Sequence, residues 1–222
     1  MDDFASFAAG LSVKARVCEH SGSLYGVEVR LAPWAAFTLL GVDMYELADS
    51  YIEAGLLLGD RANRLIDGLV ALPGWEQRFD LLDDVLAGWI GHGHAWSPRV
   101  AWALNELRRR SGTVSIRELA EGVGWRRRQL EYRFREQIGL SPKQTARLFR
   151  FRHAAQLLTS GHTPLQTALM CGFSDQAHLT REFSSIAGLT PARFRAQTRG
   201  DADAVSLAEQ ATRHVRSMAL TT

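Results

Sequence analysis

The chain has 222 residues, 46% of them apolar, enough for the cores of one or two domains and too many for a disordered chain. A net charge of +2 conceals a division. Residues 1–98 carry six Lys/Arg and fourteen Asp/Glu, a net −8, while residues 99–199 carry eighteen and seven, a net +11. A basic half of this size points to a polyanionic partner, against the plainer reading of a solvated surface.

Only two cysteines occur, Cys18 and Cys171, in no metal or redox spacing, which fits a reduced interior. The start, MDDFASFAAGLSV, is acidic where a secretory signal is basic, and the apolar runs break well before ~20 residues. The expectation is a cytoplasmic protein with no membrane contact.

In chain order, KARVCEH and YGVEVRLAP read as strands around an HSGS turn at 20–23. Two or three strands make no stable sheet alone, so they belong to a larger β-domain or pack on the following helices. In GVDMYELADS, Asp43 and Glu46 predict a capping box opening a short helix. Segment 59–72 places Leu65, Ile66, Leu69 and Val70 on one helical face, and 74–90 does so with Phe79, Leu82, Val85, Leu86 and Trp89. Both faces read as core, with subunit pairing as the alternative.

GHGHAWS, 91–97, reads as a linker. His92 and His94 lack a third ligand nearby, so no metal is assigned. From Pro98 the pattern is almost all helix. One helix spans Pro98–Arg110, with Val100, Ala101, Leu104 and Leu107 inward, and Gly112 ends it. Ser115 with Glu118 caps the next, another runs from Arg126 to Ile138, and Ser141 with Pro142 opens a long helix to Ser160. TPLQTALMCG, SDQAHLTREFSSIAG and TPARFRAQ supply three more, and residues 200–222 read as a flexible tail.

Within this half one pattern is written twice. Ala120, Gly124, Leu130 and Phe134 recur as Ala168, Gly172, Leu179 and Phe183, each followed by Gly-Leu-Ser/Thr-Pro. Small Ala lets two helices approach and Gly takes the turn; Leu and Phe, four apart, bury one face of the second helix. That is the frame of a helix-turn-helix, whose second helix can enter a major groove. The long helix between the copies, nineteen residues from Pro142 to Ser160, spans roughly 28 Å, close to the ~34 Å of one DNA turn. The expectation is one chain reading two successive major grooves of double-stranded DNA.

The run from Ala168 through GFSDQAHLTREF to GLTPARFR resembles the signature of the AraC/XylS family of transcription regulators, over roughly Pro98 to Gln197. RLAPWAAFTLLGV is similar to the end of the N-terminal sensor-like domain of such proteins. The resemblance implies a mainly α fold: two helix-turn-helix subdomains joined by a long helix, preceded by a small α+β region with a few strands. It divides the chain into a truncated sensor-like region (1–91), a linker (92–97), a DNA-binding domain (98–199) and the tail. By position in the family motif, Arg128, Glu131 and Tyr132 match base-facing sites.

Arg pairs with guanine and Glu accepts from cytosine; in the second copy Gln176 suits adenine and Arg181 guanine, with Ala177 and Thr180 beside them. Arg126 and Arg127, at the helix start, read as phosphate ligands, as do Lys143, Arg150, Ser174 and His178. Asp175 and Ser174 are also candidate helix caps. RNA polymerase is a candidate partner, and effector and oligomeric state stay open. No catalytic motif, phosphate-cradling loop or cofactor signature occurs. The competing reading is a protein- or RNA-interaction module using the basic half without specific DNA reading.

Overall fold

A computed structural model of the chain describes residues 6–15 and 26–198. Among these residues the fold is mainly α, with a single two-stranded sheet. Strands β1 (Phe7–Ala9) and β2 (Tyr51–Glu53) pair antiparallel, Ala8 opposite Ile52, with the Phe7 ring edge-on to Tyr51. The expected strands are not these. KARVCEH from residue 16 and the HSGS turn lie outside the described residues. Residues 26–32 are irregular, and the apolar run after them is helix α1 (Pro33–Leu40). Pro33 sits at the helix start and Gly41 closes it in the left-handed conformation. Because α1 carries no charge and is buried on nearly every side, its pattern is that of a buried strand, and periodicity cannot separate the two.

The capping box expected at Asp43 does not form: residues Met44–Glu46 make one 3₁₀ turn without a side-chain cap. The Asp43 carboxylate accepts instead from the Tyr45 hydroxyl. After α2 (Ala54–Leu58), the helices α3 (Asp60–Ala71) and α4 (Trp75–Gly91) pack on each other, and α4 also on α1. Their apolar faces are less buried than the spacing implies. Only Ala62 and Leu82 are fully buried, while Val70 and Phe79 stay 75% and 51% exposed. A helical hairpin flanked by α1 and the short α2 covers one flank of its stripe and leaves the other in solvent.

The basic half follows the predicted order closely. It comprises α5 (Pro98–Arg109), α6 (Ile116–Gly122), α7 (Arg127–Ile138), α8 (Pro142–Thr159), α9 (Pro164–Met170), α10 (Gln176–Ala187) and α11 (Pro191–Thr198). Ser115/Glu118, Ser141/Gln144 and Thr163/Gln166 form complete capping boxes. On α5 the inward set is Val100, Ala103, Leu104 and Leu107, with Ala101 only half-buried.

Three cores result. One joins α5 to α7 through Leu107, Leu119, Leu130 and Phe134; a second gathers Leu158, Ala168, Leu179, Phe183 and Phe194; a third holds Phe37, Met44 and Leu47. Helix α8 gives Ala146 and Phe149 to the first core and Phe151, Ala154, Ala155 and Leu158 to the second. A shared helix buried at both ends fixes two units more firmly than a connector touching neither.

The segment 92–97 is held against the N-terminal unit. The His94 backbone N–H donates to Thr38 O, and a Cβ on Gly93 would overlap that same carbonyl. Trp96 packs against both the first and third cores, and Gln137 accepts from the Ser97 N–H.

Candidate nucleic-acid interface

Each half of the repeat builds the same turn. The aromatic after the glycine sends its backbone N–H back to the buried alanine: Trp125 to Ala120 O at 2.9 Å, and Phe173 to Ala168 O at 3.0 Å. Gly124 and Gly172 adopt φ of +68° and +70°, which a side chain would strain. The helices approach through Ala120 and Ala168, only 4% and 1% exposed, and not through the glycines. A Cβ on Gly124 would meet nothing, and one on Gly172 only Thr113 at 3.7 Å.

Behind each turn, Leu and Phe sink into the core and set the exposed face of the next helix. On α7, Leu130, Phe134 and Ile138 are fully buried, so Arg127, Arg128 and Tyr132 face solvent, with Tyr132 58% exposed. Arg126 precedes α7 as its exposed N-cap residue and makes no side-chain cap. Arg127 and Glu131, assigned separately from sequence, bond each other at 3.0 Å, one turn apart. Arg133 bonds Glu136 and leans over the Tyr132 ring. Bonding to Glu136 holds the Arg133 guanidinium above its usual range.

On α10, Gln176, Ala177 and Arg181 are exposed and Thr180 is half-buried, its hydroxyl donating to Gln176 O. Asp175 caps the helix by accepting the His178 N–H at 2.6 Å, and this bond holds its carboxyl below the usual range. Ser174 Oγ lies 3.1 Å from His178 Nδ1, and the His178 ring stands edge-on to Phe173. The two residues assigned to the DNA backbone are therefore engaged with each other at the helix start, with Ser174 exposed and His178 half-buried.

The cations of α8 divide. Lys143 is exposed in the first turn. Arg150 is half-buried and lies over the Phe173 ring, with its Nε covered and unbonded. Arg147 reaches Glu182 and Ser185 on α10. That contact is 35 residues apart in sequence and had no signal in the spacing. Helix α7 also has neighbours that sequence reasoning missed: α1 and the 3₁₀ turn pack against it, and a Cβ on Gly139 would lie 2.7 Å from Met44 O. No group of three or more His, Cys, Asp or Glu is placed to hold a metal among the described residues, and none of their helices is long and apolar enough to cross a membrane.

Two three-helix units, each ending in a helix with one buried and one solvent face, define a tandem helix-turn-helix domain. Residues 119–197 match the family described as "Helix-turn-helix domain", and this segment is an AraC-type helix-turn-helix domain. Curated relatives match part of the chain. The HTH-type transcriptional regulator YbfI of Bacillus subtilis (strain 168) is 36% identical over 66 residues, 30% of this chain and 24% of that protein. An HTH-type transcriptional regulator of Staphylococcus aureus (strain MSSA476) is 32% identical over 102 residues, 46% of this chain and 13% of its own length. LumQ of Photobacterium leiognathi, a transcriptional regulator by name, is 31% identical over 83 residues, 37% of this chain and 34% of that protein. The chain thus spans no more than about a third of these relatives. No solved structure matches it significantly.

Proposed function

We propose that the protein is a DNA-binding transcription regulator, without enzymatic activity, that reads two successive major grooves with α7 and α10. The observation that carries this reading is the repeated turn joined by one helix buried in both units. Helix α8 has 18 residues, about 27 Å, against ~34 Å for a DNA turn. Arg128, Glu131 and Tyr132 are the base-facing set of the first unit; Gln176, Ala177, Thr180 and Arg181 are that of the second. Arg126, Arg127, Lys143, Arg150, Ser174 and His178 meet phosphate, Arg150 from its place over Phe173. The cytoplasm is the compartment where this partner occurs, and RNA polymerase is the natural second partner of a bound regulator.

The test is a mobility-shift assay on duplex fragments flanking its own gene, at two salt concentrations. Retention of particular fragments against excess competitor duplex supports the reading. Equal retention of all fragments, or preference for RNA of equal charge, overturns it in favour of an unspecific polyanion or RNA module.

A further inference from the structure

The two helices that open the turns, α6 and α9, present outer faces of opposite character. Counted from the buried alanines, Leu165, Leu169 and Met170 of α9 stand where α6 has Arg117, Glu121 and Gly122. On α6 that face is polar or covered: Arg117 bonds Glu121 one turn on, and the Trp102 ring of α5 lies against Gly122. Helix α9 carries no charge, and its Leu165, Leu169 and Met170 are 55%, 71% and 53% exposed. Leu165 and Leu169 lie one turn apart with Met170 beside them, so they form one apolar strip on a face that the other copy of the repeat keeps polar.

An occupant of matching pattern lies in the same chain. Arg195 on α11 donates to Gly161 O, in the turn before α9, at 2.9 Å, which sets the end of α11 at Thr198 near the start of α9. Residues 199–222 follow, outside the described residues. Their sequence places Ala204, Leu207, Ala208, Ala211, Val215 and Met218 at the spacing of one helical face, with Ser206, Glu209, Gln210, Arg213 and Arg216 off it. Gly200 suits a change of direction, and the extended reach of residues 199–203, about 17 Å, is enough to bring that stripe back over α9. We propose that residues 204–218 dock their apolar stripe on the strip formed by Leu165, Leu169 and Met170, closing the outer side of the second unit. The contact is intramolecular and needs no DNA, so it stands or falls apart from the function proposed above.

The experiment is limited trypsin digestion of the full-length chain, with mass spectrometry following release at Arg213 and Arg216. It compares the parent with Leu165→Gln/Leu169→Glu, which places polar groups at positions already in solvent, and with Leu207→Gln/Val215→Gln in the segment itself. Both arginines should be cut at least about tenfold more slowly in the parent than in either variant, because cleavage tracks the undocked fraction. Combining the two sets of substitutions should accelerate cleavage no further than one set alone, with thermal melts confirming that each variant folds. The protection in the parent should not change on dilution. Cleavage of the parent as fast as the variants overturns the proposal, as do accelerations that multiply when the sets are combined. Protection that fades on dilution assigns the strip to a second copy of the chain and overturns it as well.

Discussion

Arg147 on α8 donates to Glu182 on α10 at 2.6 Å, and the same guanidinium reaches Ser185 Oγ at 3.1 Å. The pair ties α10 to α8, the helix shared by both units, and each side chain is only about a quarter exposed, at 26% and 29%. Partial burial lifts such a pair above the few tenths of a kcal/mol of a surface ion pair. Arg147→Ala and Glu182→Ala should each cost about 1 kcal/mol in urea unfolding, and the double variant should cost clearly less than their sum. Strict additivity would show that the contact does not couple the two helices.

The glycines separate two physical demands. Gly172 needs only its positive φ, so Gly172→Ala should cost about 1–2 kcal/mol and Gly172→Val somewhat more. Gly112, at φ +73°, has the Ala146 carbonyl of α8 lying where a Cβ would go. Backbone strain and overlap with fixed backbone then add, and Gly112→Ala should cost about 3 kcal/mol or more. Comparable melting temperatures for the two alanine variants would contradict this order.

What could be read from sequence divides along the same line as the charge. In the basic half, several helices carry their own start or stop: Ser115, Ser141 and Thr163 as caps, Gly139 and Gly188 in left-handed closures. Local signals suffice because local bonds do the work. The N-terminal half offers less such punctuation, Pro33 and Gly41 around α1 apart. Its α1 is uniformly apolar, its strands are three residues long, and Asp43 binds Tyr45 in place of a cap. The i,i+4 spacing of Arg127 and Glu131 allows their pairing, whereas no spacing shows that Arg150 would lie on Phe173. The stripe of Leu130 and Phe134 decided which way α7 faces, whereas partners across the fold depend on packing that only the assembled chain defines.

Electrostatic and base-reading roles predict different signatures at the proposed interface. Lys143→Ala and Arg126→Ala should weaken all duplexes alike and flatten the plot of log affinity against log salt by about one unit per lost phosphate contact. Arg181→Ala and Arg128→Ala should act on preference, narrowing the gap between target and competitor duplex by about 1–3 kcal/mol. Uniform loss on all sequences would move Arg181 and Arg128 into the phosphate class, and an unchanged slope would remove Lys143 and Arg126 from the interface.

The start of α10 should be acid-sensitive. Bonds from the His178 N–H and the Ser174 hydroxyl hold the Asp175 carboxyl below its ordinary value. A carboxyl depressed in the folded state adds stability above its unfolded pKa of ~3.9, and that contribution fades as pH falls through the lower folded value. Asp175→Ala should therefore be less stable than the parent at pH 7, and the gap should close as pH drops below about 4. A gap independent of pH would assign the loss to packing and not to the charged cap.

Cys171 offers a probe of the second unit from inside. It lies in the turn after α9, fully buried against Phe173 and Leu179, and burial pushes its thiol up to about 11, with nearby Arg150 only partly opposing. Only about one molecule in several thousand then carries a thiolate at pH 7.5, and that thiolate is covered. In a Cys18→Ser background, iodoacetamide should label the folded chain at least about 100-fold more slowly than the urea-unfolded chain. Labelling must wait for the second unit to open, so its rate reports that opening directly. Substituting Glu182 by Ala, which frees α10 from Arg147, should accelerate labelling, and a bound target duplex should slow it by holding α10 in place. Rapid labelling of the native chain, unchanged by duplex, would mean that the core behind α10 is open in solution.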